Sequence, residues 1–354
     1  MLRPGRNIAQ LTGLRGIAAL GVVLHHAANQ LGGDWYLRGQ PMVDVFFVLS
    51  GFVMSYVYPA KGTVAWPAFA RARFARIYPL HIATALAMAL AGVLLARASH
   101  QPAPDWVNPT QALREATLTM AMPVFGADKL WNFPAWSISV EWWVYFTLFP
   151  LLAIHGKRLS ARQAALVWLA SAVVLVIVLH LGLGKSTRGW PAFGRALVGF
   201  AGGWVACRFA IETNLRLRDR IVDLLCLAIV IGIYGTAPLI DDDAWYLILV
   251  YPLVIFGLAT SRGHAVRLLS SRPVVWLGDT SFSIYLVHSI VLNVLQAADG
   301  RILSLDTRLA WMVALTGATL VAAPVSYYLF EVPMRRLLTG KPPFSRSKPI
   351  IRTA

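Results

Sequence analysis

The chain has 354 residues, of which 57% are hydrophobic and only 14% are Asp, Glu, Lys or Arg, and it carries 13 tryptophans. Soluble chains hold about 25% charged residues. This composition, with a mean hydropathy of +0.61, excludes a water-soluble domain and points to a polytopic membrane protein. The net charge of +16 would suggest nucleic acid in a soluble domain, but the basic residues stand between apolar runs, where a membrane explains them better.

Ten apolar segments follow in order, at 8–29, 42–58, 78–98, 136–154, 164–182, 192–208, 221–239, 244–260, 281–297 and 308–331. Most approach the ~20 residues that a helix needs to cross a bilayer, so the expected fold is all-α, a membrane bundle of about ten transmembrane helices. Arg3 and Arg6 precede the first segment without a small-residue cleavage site, which reads as a retained span rather than a signal peptide. The long connection 99–135 is rich in proline and has an apolar stretch near 117–126, expected to be re-entrant or interfacial. Residues 1–339 read as one transmembrane domain and 340–354 as a flexible basic tail. Cys207 and Cys226 lie at or inside apolar segments without metal spacing and read as small buried side chains. With the N-terminus inside, 22 of the 32 basic residues fall on the cytoplasmic side and 8 outside, with Arg15 and Arg195 within spans. That asymmetry predicts both termini in the cytoplasm.

The informative residues are those that lipid penalises. In LTGLRGIAALGVVLHHA (11–27), Arg15 and His26 are eleven residues apart, about 16 Å and close to three turns of helix. They share a face, which should point into the protein; snorkelling for Arg15 and a packing role for His26 are the alternatives. The second segment, VDVFFVLSGF, opens with Asp44, close enough in sequence to approach His26 and orient it as a general base. A helix cap or a salt bridge to Arg38 is the plainer role for Asp44. Ser50-Gly51 suits close helix contact or close ligand approach. FARARFARIYPLH (69–81) places Arg71, Arg73 and Arg76 ahead of Pro79, with Arg73 and Arg76 at i,i+3 on one helix face. Such guanidinium groups can clamp phosphates or simply anchor the membrane surface. Glu141, among Trp136, Trp142 and Trp143, favours a cavity-facing position. His288 in SFSIYLVHSIV can line an acyl passage, donate to a carboxylate or bond across helices. Glu331 and Arg335, spaced i,i+4 about Pro333, read as mainly structural. The sequence has no Cys cluster, HxxxH pair or glycine-rich phosphate loop.

Together these stretches resemble the membrane-bound acyltransferase-3 family, bacterial integral-membrane O-acyltransferases that modify surface and exported glycans. The matching pieces are 11–27, 43–58, 69–81, WSISVEWWVYF (136–146), LGDTSFSIYLVHSIV (277–291) and FEVPMRR (330–336), whose order covers nearly the whole chain. The resemblance implies that the first-helix histidine of the family falls on His26, its Arg-x-x-Arg pair on Arg73 and Arg76, the acidic residue ahead of FFxLSGF on Asp44, and the WSxxxE glutamate on Glu141. Many relatives have adjacent arginines where this chain has Ala72-Arg73, which leaves Arg71 or Arg73 to supply phosphate contact. His26, Asp44 and Glu141 are then the expected catalytic residues. Arg15, Arg71, Arg73, Arg76 and His288 are the expected donor-binding ones.

The implied reaction moves an acyl group, most simply acetyl, from cytosolic acyl-CoA such as acetyl-CoA to a sugar hydroxyl of a surface or exported polysaccharide. No metal is expected. The expected setting is the bacterial cytoplasmic (inner) membrane, with acyl-CoA, a glycan acceptor, lipids and polysaccharide-synthesis proteins as partners and no nucleic acid. An acceptor in peptidoglycan, a glycolipid or a small glycosylated metabolite, a succinyl donor, or a transporter or flippase for a glycan intermediate are the competing readings.

Overall fold

The computed structural model describes residues 8–32, 37, 39–58, 64–125, 129–181, 187–235, 245–300 and 302–340. Arg38, the acidic run 241–243 and the tail from Lys341 lie outside these residues. The described residues are overwhelmingly helical and hold no strand beyond an isolated Asp299–Leu303 bridge. The helices are α1 (Ala9–Ala28), α2 (Gln40–Val57), α3 (Trp66–Ala98), α4 (Pro109–Thr117), α5 (Ala135–His155), α6 (Ala161–His180), α7 (Gly189–Glu212), α8 (Asp219–Val230), α9 (Tyr251–Thr260), α10 (His264–Leu269), α11 (Arg272–Ala298), α12 (Arg308–Ser326) and α13 (Val332–Thr339).

Among the described residues, six helical stretches are long and apolar enough to cross a membrane: α1, α3, α5, α6, α11 and the run Arg308–Thr339. The apolar helices Pro41–Val57 and Tyr251–Thr260 are shorter. Leu166, Val167, Val174 and Ile177 of α6 are exposed, as suits side chains that meet acyl tails rather than water.

Two close helix pairs organise the core, and glycine permits both. On α1 and α11, Gly16 faces Gly278, and a Cβ on Gly278 would lie 1.9 Å from the Thr12 carbonyl oxygen. On α2 and α7, a Cβ on Gly51 would lie 1.9 Å from the Phe200 carbonyl oxygen, and one on Gly203 would lie 1.9 Å from that of Val48. Backbones approach this closely only where side chains are absent, which is how small residues drive helix association in lipid. Helix α5 packs on α2 and α7, while α3 packs on α11 and α13. A cluster of Phe47, Phe52, Phe69, Phe149 and Phe200 fills the space between.

Three local features refine the reading from sequence. Helix α3 begins twelve residues before the expected edge at 78, so Arg71, Arg73 and Arg76 lie within its first turns and Pro79 in its interior. At 33 residues it is about 50 Å long, against ~30 Å of hydrocarbon, so one end projects beyond the apolar slab. The stretch after α4 is part of the core: Leu118, Met120 and Ala121 are buried. The Leu118 carbonyl accepts from Ser139 Oγ at 2.7 Å and Trp143 Nε1 at 3.0 Å. Finally, the helix from Arg308 widens into a π turn at Tyr327–Glu331 just before Pro333. Proline has no N–H to donate four residues back, and the wider turn carries Glu331 inward, where it is 2% exposed.

Candidate active site

Helical periodicity aims several spaced polar residues at one interior space. Ser137, Glu141 and Tyr145 recur at i, i+4 and i+8 on α5; Arg73 and Arg76 at i,i+3 on α3; Asp279, Phe282 and Tyr285 at i, i+3 and i+6 on α11. With Arg15 from α1, Ser50 from α2 and Arg335 from α13 they line a cavity of about 470 Å³. Among the described residues, four guanidinium groups face two carboxylates there, Glu141 and Asp279.

The arginines are not equivalent. Arg76 bonds Glu331 and lies 5.0 Å over the Phe282 ring. Arg335 approaches the same carboxylate at 3.7 Å, and Ser283 Oγ donates to its second oxygen at 2.8 Å. Glu331 thus ties α3, α11 and α13 together behind the cavity wall. Arg73 is held by the Tyr145 ring at 5.9 Å, and its buried Nε makes no hydrogen bond. A donor buried without an acceptor is costly, so an anion entering the cavity would satisfy it. Glu141 accepts from Ser50 Oγ and, at 2.7 Å, from the Tyr145 hydroxyl.

His26 is elsewhere. Its ring is half-buried and faces inward, not toward lipid, but it lines a second cavity of about 30 Å³, room for about one water molecule. The imidazole stacks on His288 with centroids 5.2 Å apart and planes at 25°, and meets His25 edge-on at 4.8 Å and Phe133 at 6.2 Å. No carboxylate lines this cavity among the described residues. His25 is turned away, its Nδ1 lying 2.5 Å from the Leu37 carbonyl oxygen. Among the described residues, Tyr285 alone lines both the small cavity and the arginine cavity.

Of the sequence candidates, Arg15, Arg73, Arg76 and Glu141 converge on the large cavity. Three are placed differently. Asp44 is 1% exposed and pairs with Arg195: its carboxylate accepts from Nε at 3.0 Å and lies 2.9 Å from a terminal nitrogen in an ion pair. An arginine buried in α7 needs a counter-charge, and Asp44 on the close-packed α2 supplies it. Arg195 also covers the Trp136 ring at 5.2 Å, so the Asp44–Arg195 pair braces one wall of the His26 cavity. Arg71 is exposed and lines neither cavity, because it points off the face shared by Arg73 and Arg76. His288 is fully buried against His26 and lies outside the arginine cavity. Sequence reasoning assigned no site role to Tyr145 or Tyr285, placed Arg195 within a span without a role, and read Arg335 as mainly structural. The cost of an in-span arginine was a signal for Arg195; no comparable signal marks Tyr285.

Comparison with known proteins identifies the family of the chain. The family model described as an acyltransferase domain, acyltransferase 3, matches residues 8–330. The chain is 29% identical to acyltransferase MdmB of Streptomyces mycarofaciens, over 95% of this chain and 94% of that protein. It is 35% identical to protein 2 in the picA locus of Rhizobium radiobacter, over 49% of this chain and 95% of that one. It is 22% identical to the Staphylococcus aureus (strain COL) protein named "Putative O-acetyltransferase SACOL0978", over 94% of this chain but only 58% of the longer protein. No solved structure matches the chain significantly. This multi-pass membrane protein, an enzyme that transfers acyl groups, belongs to the acyltransferase-3 family.

Proposed function

We propose that the chain is an O-acyltransferase that takes an acyl group, acetyl in the simplest case, from cytosolic acyl-coenzyme A and delivers it to a sugar hydroxyl of a surface or exported polysaccharide. It would do so across the bacterial cytoplasmic membrane, with ten spans and both termini inside. The observation that carries this reading is the arginine cavity. Arg15, Arg73, Arg76 and Arg335 around one space of about 470 Å³ suit the phosphates of a nucleotide-bearing thioester, and the unbonded Nε of Arg73 supplies a donor waiting for an acceptor.

In the reaction, His26 takes the proton of the acceptor hydroxyl as the oxygen attacks the thioester carbonyl. The tetrahedral intermediate collapses by breaking the carbon–sulfur bond, and the coenzyme thiolate leaves with the proton returned by the imidazolium. Direct transfer needs no acyl-histidine. Glu141, held by Ser50 and Tyr145, balances the arginines at the mouth of the passage. The imidazole and the arginine cavity are separate in the geometry described, so the reading requires the wall at Tyr285 to move.

The test is a radiolabelled acetyl-coenzyme A assay on purified protein with a glycan acceptor, alongside calorimetric binding of coenzyme A. Wild type should transfer label, and His26→Ala should bind the coenzyme normally without transfer. Retained turnover in His26→Ala would remove it as the base. A thioester left intact by wild type would favour a carrier of glycan intermediates.

A further inference from the structure

Tyr285 is 5% exposed and occupies the seam between the two cavities, lining each of them. Its hydroxyl donates to the Pro134 carbonyl oxygen at 2.9 Å and lies 2.8 Å from Ser137 Oγ. Pro134 lines the His26 side and Ser137 the arginine side. The three groups therefore form a latch across the boundary, tying α11 to the start of α5. The ring fills the remaining space, with Phe46 at 5.8 Å and His288 at 6.1 Å between centroids. Phe46 belongs to the large cavity, and His288 is the ring stacked on His26.

Two hydrogen bonds to neutral groups hold this side chain, and neutral hydrogen bonds are individually weak in net terms. A tyrosine moves by rotation about two bonds, so it can leave the seam without unfolding either helix. A group passing from the arginines toward the His26 imidazole meets this ring at the seam, and the longer its hydrocarbon tail, the further the ring must swing.

We propose that Tyr285 gates the passage between the arginine cavity and His26, and that its ring sets the length of acyl chain that can be delivered. The proposal rests on the reading of His26 as the base and the arginine cavity as the donor site. It assigns Tyr285 a specificity role, with no part in bond making.

The experiment uses the purified full chain with acetyl-, butyryl- and octanoyl-coenzyme A in wild type, Tyr285→Phe and Tyr285→Leu. Coenzyme A affinity is measured in parallel, so that kcat/KM ratios are compared among variants that bind the donor. Tyr285→Leu should raise the octanoyl-to-acetyl ratio of kcat/KM about tenfold. Tyr285→Phe keeps the ring but frees it from Pro134 and Ser137, and should move the ratio the same way by a smaller factor. An unchanged ratio in variants that bind the coenzyme overturns the gate. So does an equal loss of transfer for every chain length, since the hydroxyl would then serve the chemistry itself.

Failure of the parent reading has a different signature: wild type that binds no coenzyme A or transfers from no thioester. The gate is then decided by alkylating the introduced thiol of His26→Cys with iodoacetamide, with and without Tyr285→Leu. About tenfold faster alkylation in the double variant supports a barrier at Tyr285, and an equal rate overturns it.

Discussion

The two cavities differ in nearly every physical respect. One is large, walled by guanidinium groups from three helices and braced by Glu331 and Glu141. The other holds about one water's volume, has no lining carboxylate among the described residues, and is built from imidazole and aromatic rings. A charged space of that size suits the recognition of a polyanion, whereas a small one lined by rings suits an imidazole that accepts a proton. On the reading proposed above, the difference gives binding and chemistry separate compartments. Each can then have the dielectric surroundings it needs, and the wall between them becomes a point of control.

The comparison breaks most sharply at His26. If the small cavity houses the chemistry, His26→Ala should cost on the order of 10³-fold in kcat, within the range for a lost general base, while coenzyme A affinity holds. A comparable loss of affinity would mean that the cavities are not separate in function. Next in size is the pair behind the wall of the small cavity. Asp44→Ala leaves Arg195 buried without its carboxylate and should destabilise the protein by about 3–5 kcal/mol. Asp44→Leu combined with Arg195→Met should recover most of that loss, and thermal unfolding in detergent measures both. A single variant as stable as wild type would remove the pair as a structural support.

The large cavity is sharpened by Arg73→Ala, which removes a guanidinium nitrogen there that is buried and, among the described residues, unbonded. The KM for acyl-coenzyme A should rise about tenfold or more, the worth of a charge-assisted contact, with kcat little changed. A fall in kcat at constant KM would assign Arg73 to the reacting end.

The smallest effect lies outside both cavities. Glu115 of α4 is 1% exposed and accepts from Gln111 Nε2 and the Trp131 N–H on one oxygen. Burial raises its pKa above the ordinary glutamate value, against those two hydrogen bonds. With the folded pKa above the unfolded one, its stabilising contribution is complete below the unfolded pKa and is lost as pH rises through the folded value. Wild-type Tm should therefore fall over that rise, and Glu115→Gln, which keeps the accepting oxygen, should show no such fall. At neutral pH the variant should lie within about 1 kcal/mol of wild type. A pH profile of Tm identical in both proteins would mean that Glu115 does not titrate there.

Much of this arrangement is legible in the order of residues. A helix has one period, so Arg73 and Arg76 at i,i+3 must share a face, as must Ser137, Glu141 and Tyr145 at intervals of four. Lipid penalises exposed charge, so Arg15, Glu141 and His26 were bound to face inward, and each does. Asp44 shows where that logic stops. Proximity along the chain suggested His26, yet its partner is Arg195, 151 residues away. The same holds for Arg76 and Glu331, 255 residues apart, where a π turn ahead of Pro333 supplies the inward position.

By its sequence alone the chain determined a helical membrane protein of the acyltransferase-3 family, with His26, Arg15, Arg73 and Arg76 turned to the interior. Tertiary structure alone decided that Asp44 belongs to Arg195, that Arg71 stays outside, and that Tyr285 stands between the arginines and the imidazole. The physical reason is that periodicity places a side chain around its own helix axis. Which neighbour that face meets depends on how helices cross, and here the crossings follow from close glycine contacts between α1 and α11 and between α2 and α7, segments more than a hundred residues apart in the chain.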